Sequence, residues 1–385
     1  MIILVADLLI VVLVSVVAWV LPMLARPDLP FGVRVPPGRA TDPVVVRQRH
    51  HYVRRVTGLG GLAAAVCAAM AVLDRPEHAP SMIAATLGTA DGIAYVLANR
   101  RIRAAKAREN WYLGLRQGAT TDTALRTQPV RVSVSWFLPA VLVLLATLAV
   151  GLARYGGLPE TLPAPRSLGV DSGDRVTTSP TTAFAPVLMQ AVLALLMPLL
   201  AVGLTRARPE LDAARPRASA RRYRVYLTRV IRLIAVTAGC GNLAALFFAL
   251  QLWELWTPSA PLNALTCLPL LAAFAVWLRF EFRVGQAGHR LPAEPGEETG
   301  EAEEAATWRL VQRDDDRHWH LAGFVYANRT DPALFVHQRA GGASWTLNLG
   351  HPVACAVLGA LALLGLLSAV GVIPLSTGVV SAGSG

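Results

Sequence analysis

The chain alternates long apolar stretches with polar segments rich in arginine. Eight stretches are long enough, or nearly so, for a spanning helix of about 20 mainly apolar residues: Ile2–Leu24, Gly58–Leu73, Pro80–Ala98, Ser133–Ala153, Phe184–Leu204, Val230–Leu252, Leu262–Leu278 and Val353–Leu375. The second and seventh are the shortest. The first has no basic segment before it and no small-residue cleavage site after it, so it reads as a retained helix rather than a signal peptide. The pattern predicts an all-α polytopic membrane protein of about eight transmembrane helices.

Polar segments differ in kind. Arg100–Leu115 (RRIRAAKARENWYLGL) reads as a basic continuation of the third helix, with Trp111 and Tyr112 as headgroup anchors. Arg154–Ala183 is rich in Pro, Gly, Ser and Thr and reads as an irregular outer loop. Residues 281–307 read as an acidic flexible linker, because Glu alternates there with Pro, Gly and Ala. Residues 308–352 change character again. Trp308–Val311, Phe324–Ala327, Leu334–His337 and Trp345–Leu349 are short aromatic and aliphatic runs separated by turn signals. They predict a small β-rich module of about three strands, placed between the last two helices, with a disordered tail at 376–385.

Composition agrees with the membrane reading. The 385 residues are 54% hydrophobic and 16% charged, with a mean hydropathy of +0.46. That argues against an ordinary soluble enzyme or a disordered chain. The net charge of +11 is then a topology signal. Of the 36 basic residues, 32 fall in the segments after the first, third, fifth and seventh stretches. Arg75, Arg154, Arg166 and Arg175 are the exceptions. Such a split predicts those segments, and the β-rich module with them, on the cytoplasmic side, with both termini outside and the chain in a cell membrane. All basic residues except Lys106 are Arg, which suggests a GC-rich bacterial inner-membrane protein. The basic loops face anionic headgroups, and no nucleic acid is expected, since aromatic residues for base stacking are sparse among them. The acidic linker is expected to dock on the basic loops.

Candidate chemistry is thin. Asp91 sits inside the third stretch, where a charge costs about 2.5–3.5 kcal/mol, and Arg232 lies at a similar depth in the sixth. They are the intramembrane candidates and are expected to pair; otherwise Asp91 meets hydroxyls and Arg232 snorkels. Gly88 and Gly92 bracket Asp91 as a GxxxG helix-packing motif. Asp314–His320 (DDDRHWH) reads first as a solvated charged turn and second as a metal site. Asp7 and Glu254 read as interfacial. Cys67, Cys240, Cys267 and Cys355 form no CxxC pair and read as small core hydrophobes. HExxH, Walker A, GxSxG and GxGxxG are all absent, so no enzyme and no cofactor are expected.

Two segments carry resemblances. The run His320–Pro352, through Tyr326, Asn328, Asp331, Pro332, Val336, Arg339, Trp345, Thr346, Asn348 and Gly350, resembles a bacterial module known as domain of unknown function 5808. That implies a membrane protein in which the module adjoins a helix. Phe31–Pro36 (FGVRVP), through Gly32, Arg34 and Pro36, is similar to the G-x-R-x-P loop of the Sdp immunity-protein family, although that family's Asn before the Gly and its downstream Trp are missing here. This second resemblance implies a role in toxin immunity or signalling. The sequence reading is therefore a sensing, regulatory or immunity protein with a cytoplasmic regulatory partner. The alternative is a small-solute or ion transporter that uses Asp91.

Overall fold

A computed structural model describes residues 2–72, 79–120, 124–127, 129–166, 169–257, 259–292 and 297–369. The chain is mostly helical: α1 Ile2–Leu24, α2 Pro43–Val72, α3 Ala79–Arg108, α4 Ala124–Thr127, α5 Leu138–Arg154, α6 Pro180–Ala183, α7 Ala185–Thr205, α8 Pro216–Leu252, α9 Ala260–Arg283, α10 Glu297–Trp308 and α11 Pro352–Ala369. Each predicted apolar stretch is helical over most of its described length. Among the described residues, five helices are long and apolar enough to cross a membrane, at Pro43–Met70, Val134–Gly157, Ala185–Thr205, Pro216–Leu252 and Pro261–Gly288; Ile10–Leu24 and Pro352–Leu363 are shorter apolar helices. The stretch in α3 falls short because Ser, Thr, Gly and Asp91 dilute its apolar residues. Large apolar side chains stand outward, among them Leu142, Leu152, Leu195, Leu199, Leu268 and Leu361. A soluble surface rarely exposes so much; lipid would cover it.

Helix ends follow local chemistry. α2 begins well before the apolar stretch at Gly58 because Asp42 caps it: its carboxylate accepts the Val44 N–H at 2.9 Å, and Pro43 fits the first turn. α3 stops at Arg108, short of the predicted continuation to Leu115. Asn110 and Gly114 then take left-handed conformations (φ 47° and 70°) and turn the chain into a strand. Trp111, expected at the headgroups, is instead buried and donates to Glu109 at 2.9 Å.

The chain divides into two compact units. One comprises residues 1–126, 207–223 and 281–355. Here α1, α2 and α3 pack together around Phe31, Tyr52, Tyr95 and Ile102. Strands β1 Arg116–Gly118 and β4 Leu310–Gln312 pair in parallel. The predicted β-rich stretch forms no single three-stranded sheet. Its strands β5 Trp319–His320 and β6 Val325–Tyr326 make one antiparallel pair, and β7 Phe335–His337 and β8 Trp345–Leu347 another. Each run is too short to bury a face alone, so the segment is completed by the rest of its unit. The supposed flexible linker is helical over α10, and Glu301 there accepts the N–H groups of Arg217 (3.0 Å) and Ala218 (3.3 Å) in the first turn of α8. A carboxylate at a helix N-terminus is favourable.

The other unit comprises residues 127–206, 224–280 and 356–385. The loop predicted to be irregular is a hairpin, β2 Thr161–Arg166 and β3 Gly169–Thr177, with a bulge between Pro163 and Ala164. Leu162, Ala164 and Val176 bury against Val187, Leu252 and Trp253. Glu254, expected to be interfacial, pairs with Arg175 at 2.8 Å. Residues 370–375 of the last predicted helix and the tail 376–385 lie outside the described residues, as does the side chain of Asp7.

Candidate functional site

The two segments singled out by resemblance come together in the first unit. Gly32 takes φ +75°, and a Cβ there would stand 2.2 Å from the Ala322 carbonyl oxygen. Only glycine allows this approach. The turn places Arg34, 1% exposed, in the interior. Its Nη1 donates to Asp28 at 2.7 Å and its Nη2 to Glu210. The Arg34 backbone N–H donates to Asp316 Oδ1 at 3.0 Å, and its carbonyl accepts from Lys106 Nζ at 2.9 Å. Pro36 is buried beside it.

Asp316 is shared. It accepts from Lys106 at 2.7 Å and from Arg339 Nη1 at 2.6 Å, while Arg339 Nη2 donates to Asp315. Lys106 also pairs with Asp314 at 2.7 Å, and Arg26 with Asp28 at 3.0 Å. Aromatic faces complete the cations' surroundings: Lys106 lies 5.0 Å from the Tyr112 ring centre and Arg339 4.9 Å from that of Trp319. The result is a buried ionic lattice joining the first loop, the end of α3, the segment before α8 and the DDDRHWH run. That run is therefore not a solvated turn. Among the described residues, no group of three or more His, Cys, Asp or Glu is placed to hold a metal ion.

Electrostatics support the geometry. Burial opposes charge on Glu210, but Arg34, Arg26 and Arg339 outweigh it and hold the carboxyl down at about 2. Asp28, Asp315 and Asp316 are likewise held below the usual carboxylate range: burial opposes their charge, but neighbouring guanidinium groups, and Lys106 at Asp316, outweigh it. Arg34 is raised well above its ordinary value by Glu210 and Asp28 against the cost of burial. Cations packed against Asp28, Glu210, Asp315 and Asp316 thus hold these carboxylates in the charged form.

A second polar network adjoins it. Tyr326 OH donates to Asp331 at 2.9 Å, and Arg208 pairs with Asp331. Asn348, wholly buried, accepts the N–H groups of Asn328 (2.9 Å) and Gly350 (3.0 Å) and donates to the carbonyls of Asn328, Asp331 and Ala333. A Cβ at Gly350 would stand 2.4 Å from the Asn328 carbonyl carbon. Trp345 packs against His337 with the rings tilted by 39° and 4.7 Å between their centres. His337 donates to or accepts from Tyr223 at 3.1 Å, and burial pushes its imidazole down to about 3. Thr346 pairs with Val336 in the β7–β8 ladder, and Pro332 is exposed.

The intramembrane candidates behave differently. Asp91 is 3% exposed, and neither of its carboxyl oxygens has a hydrogen-bond partner among the described residues. Arg232 is exposed and lies over the Trp136 ring, 5.0 Å from its centre. The expected pairing of the two finds no support in either environment. Gly88 and Gly92 are exposed, and a Cβ on Gly92 would meet nothing within 4 Å. The close helix approach falls instead at Gly60, where a Cβ would stand 2.5 Å from Ser15 Oγ. Of the cysteines, Cys67 is buried, whereas Cys355 is exposed.

Sequence reasoning missed Asp28, Glu210 and the structural part played by Lys106. Faint signals existed: Lys106 is the single lysine of the chain, and Glu210 interrupts a strongly basic segment. Comparison with family models, with curated proteins and with solved structures finds no match to this chain.

Proposed function

We propose that this is a non-enzymatic integral membrane protein of sensing, regulatory or immunity type, with eight spans, both termini outside and the segment 308–352 on the cytoplasmic face of a bacterial cell membrane. The observation that carries the reading is the buried ionic lattice. Carboxylates that could serve as bases or metal ligands are spent on Arg and Lys, which suits holding a conformation rather than chemistry on a substrate. The segments that meet there are the ones that the basic-residue split assigns to the cytoplasm, and the exposed apolar faces suit lipid on the helices. Both resemblances, to domain of unknown function 5808 and to the Sdp immunity family, fall on residues of this assembly. Its partners are then anionic headgroups around the basic segments and a cytoplasmic regulatory protein.

The test pairs two variants in a strain deleted for the gene. Arg34→Gln, which opens the lattice, should abolish complementation, and Asp91→Asn should retain it. The opposite order, with solute uptake lost in Asp91→Asn, would replace this reading with the transporter.

A further inference from the structure

Asp91 occupies a walled position on α3. One turn before it, Leu87 packs with Val11, Ala63 and Cys67; one turn after it, Ala94 and Tyr95 pack with Ala18, Tyr52 and Phe31. The residue thus faces α1 and α2 between two apolar clusters. Polar donors along this face are already committed. Ser15 Oγ donates to the Val11 carbonyl at 2.9 Å, Tyr52 OH to Ala18 at 2.9 Å, Tyr95 OH to Ala340 at 2.9 Å and Asn99 Nδ2 to Phe31 at 2.7 Å.

Among the described residues, charged neighbours do not supply a partner either. The only ionisable residue of α1 is Asp7. On α2, Tyr52 and Cys67 are the buried ionisable side chains, of which Tyr52 interacts with Asp91; Arg49 is half-buried, and Arg47, His50, His51, Arg54 and Arg55 are exposed. On α3 itself, Tyr95 is buried and Arg100 is exposed. A carboxylate is acceptor-only and requires donors, whereas a carboxylic acid carries a donor of its own. An unpaired charge is the costliest group to bury.

We infer that Asp91 is a proton-binding site, its carboxyl carrying the proton in the resting protein. A proton is the one cation that requires no space between packed helices. Loss of that proton would place a bare charge among α1, α2 and α3 and would favour any conformation that admits water or a cation to it. The inference goes beyond the regulatory reading and does not depend on it.

Reactivity tests it in the full chain. A membrane-permeant carbodiimide, dicyclohexylcarbodiimide, adds to a protonated carboxyl: the acid proton passes to one nitrogen and the carboxyl oxygen bonds the central carbon. The adduct rearranges to a stable N-acylurea with no atom lost. Membrane vesicles treated at neutral pH should yield the adduct on the Asp91 peptide, and labelling should fall about tenfold per pH unit once the site ionises. The infrared difference between the wild-type protein and Asp91→Asn should contain the carbonyl stretch of a protonated acid. If the variant does not accumulate, the wild-type adduct still decides. Carboxylate bands in place of the acid band, or no adduct on Asp91 at neutral or mildly acidic pH, would overturn the inference.

Discussion

Replacing Arg34 by Met tests the ionic lattice most directly. The side chain is 1% exposed and bridges Asp28 and Glu210. Methionine fills similar volume but leaves Glu210, whose side chain is 13% exposed, without its guanidinium. Breaking a buried pair by removing one partner costs about 3–5 kcal/mol. Asp28 keeps Arg26 at 3.0 Å, so the lower end, about 3 kcal/mol, is expected. That is a large part of a domain's stability of about 5–15 kcal/mol. Adding Glu210→Gln removes the orphaned charge, and the double variant should recover part of the loss, with a coupling of about 2 kcal/mol. Amide hydrogen exchange in detergent or lipid discs reads the opening. The Arg34 amide, which donates to Asp316, should exchange about a hundredfold faster in Arg34→Met. A change below about threefold would refute the claim that the lattice holds this assembly closed.

Acid should open the same assembly. Glu210 is held at about 2 against an ordinary value of 4.5, so its stabilisation is complete above pH 4.5 and is lost as pH falls toward 2; protection of the Arg34 amide, taken relative to the intrinsic exchange rate at each pH, should fall over that range, and protection unchanged down to pH 2 would contradict this. Asn348→Ala strips two acceptor and three donor contacts from buried backbone and should cost about 2–4 kcal/mol, read as a lower melting temperature of the purified protein. Gly32→Ala should do similar or greater harm through its positive φ and the Ala322 clash, while Gly92→Ala should be silent; equal melting temperatures for Gly32→Ala and the parent would sink the argument. For topology, Glu303→Cys on a cysteine-free background should resist an impermeant maleimide in intact cells, and labelling from outside would invert the assigned sides.

Local chemistry carried much of the fold. The apolar stretches were legible because a helix facing lipid must be apolar along most of its own length, whatever lies beside it. The basic split was legible for the same reason, as a property summed over each segment. Boundaries were less so. The start of α2 depends on the Asp42 cap, and the end of α3 on left-handed Asn110 and Gly114. The loop 154–183 carried so many Pro, Gly and Ser residues that its hairpin was hidden, since its apolar positions find partners on separate segments, among them α5, α7 and α8.

The site itself was only half visible. Gly32, Arg34, Tyr326, Arg339 and Asn348 could be picked out as motif positions, but their partners could not. Arg34 and Glu210 are 176 positions apart, and Lys106 and Asp316 are 210 apart. Nothing local marks such a pair, because each charge alone looks like one more polar residue in a polar segment. Asp91 was conspicuous in the sequence because a lone acid among apolar residues is costly wherever it lands. That its oxygens meet no donor among the described residues is a fact of tertiary packing, set by where Ser15, Tyr52, Tyr95 and Asn99 place their hydrogen bonds. Composition determined that the helices belong in a membrane; only the folded chain decided which charges are buried together and that, among the described residues, the Asp91 carboxyl finds no hydrogen-bond partner.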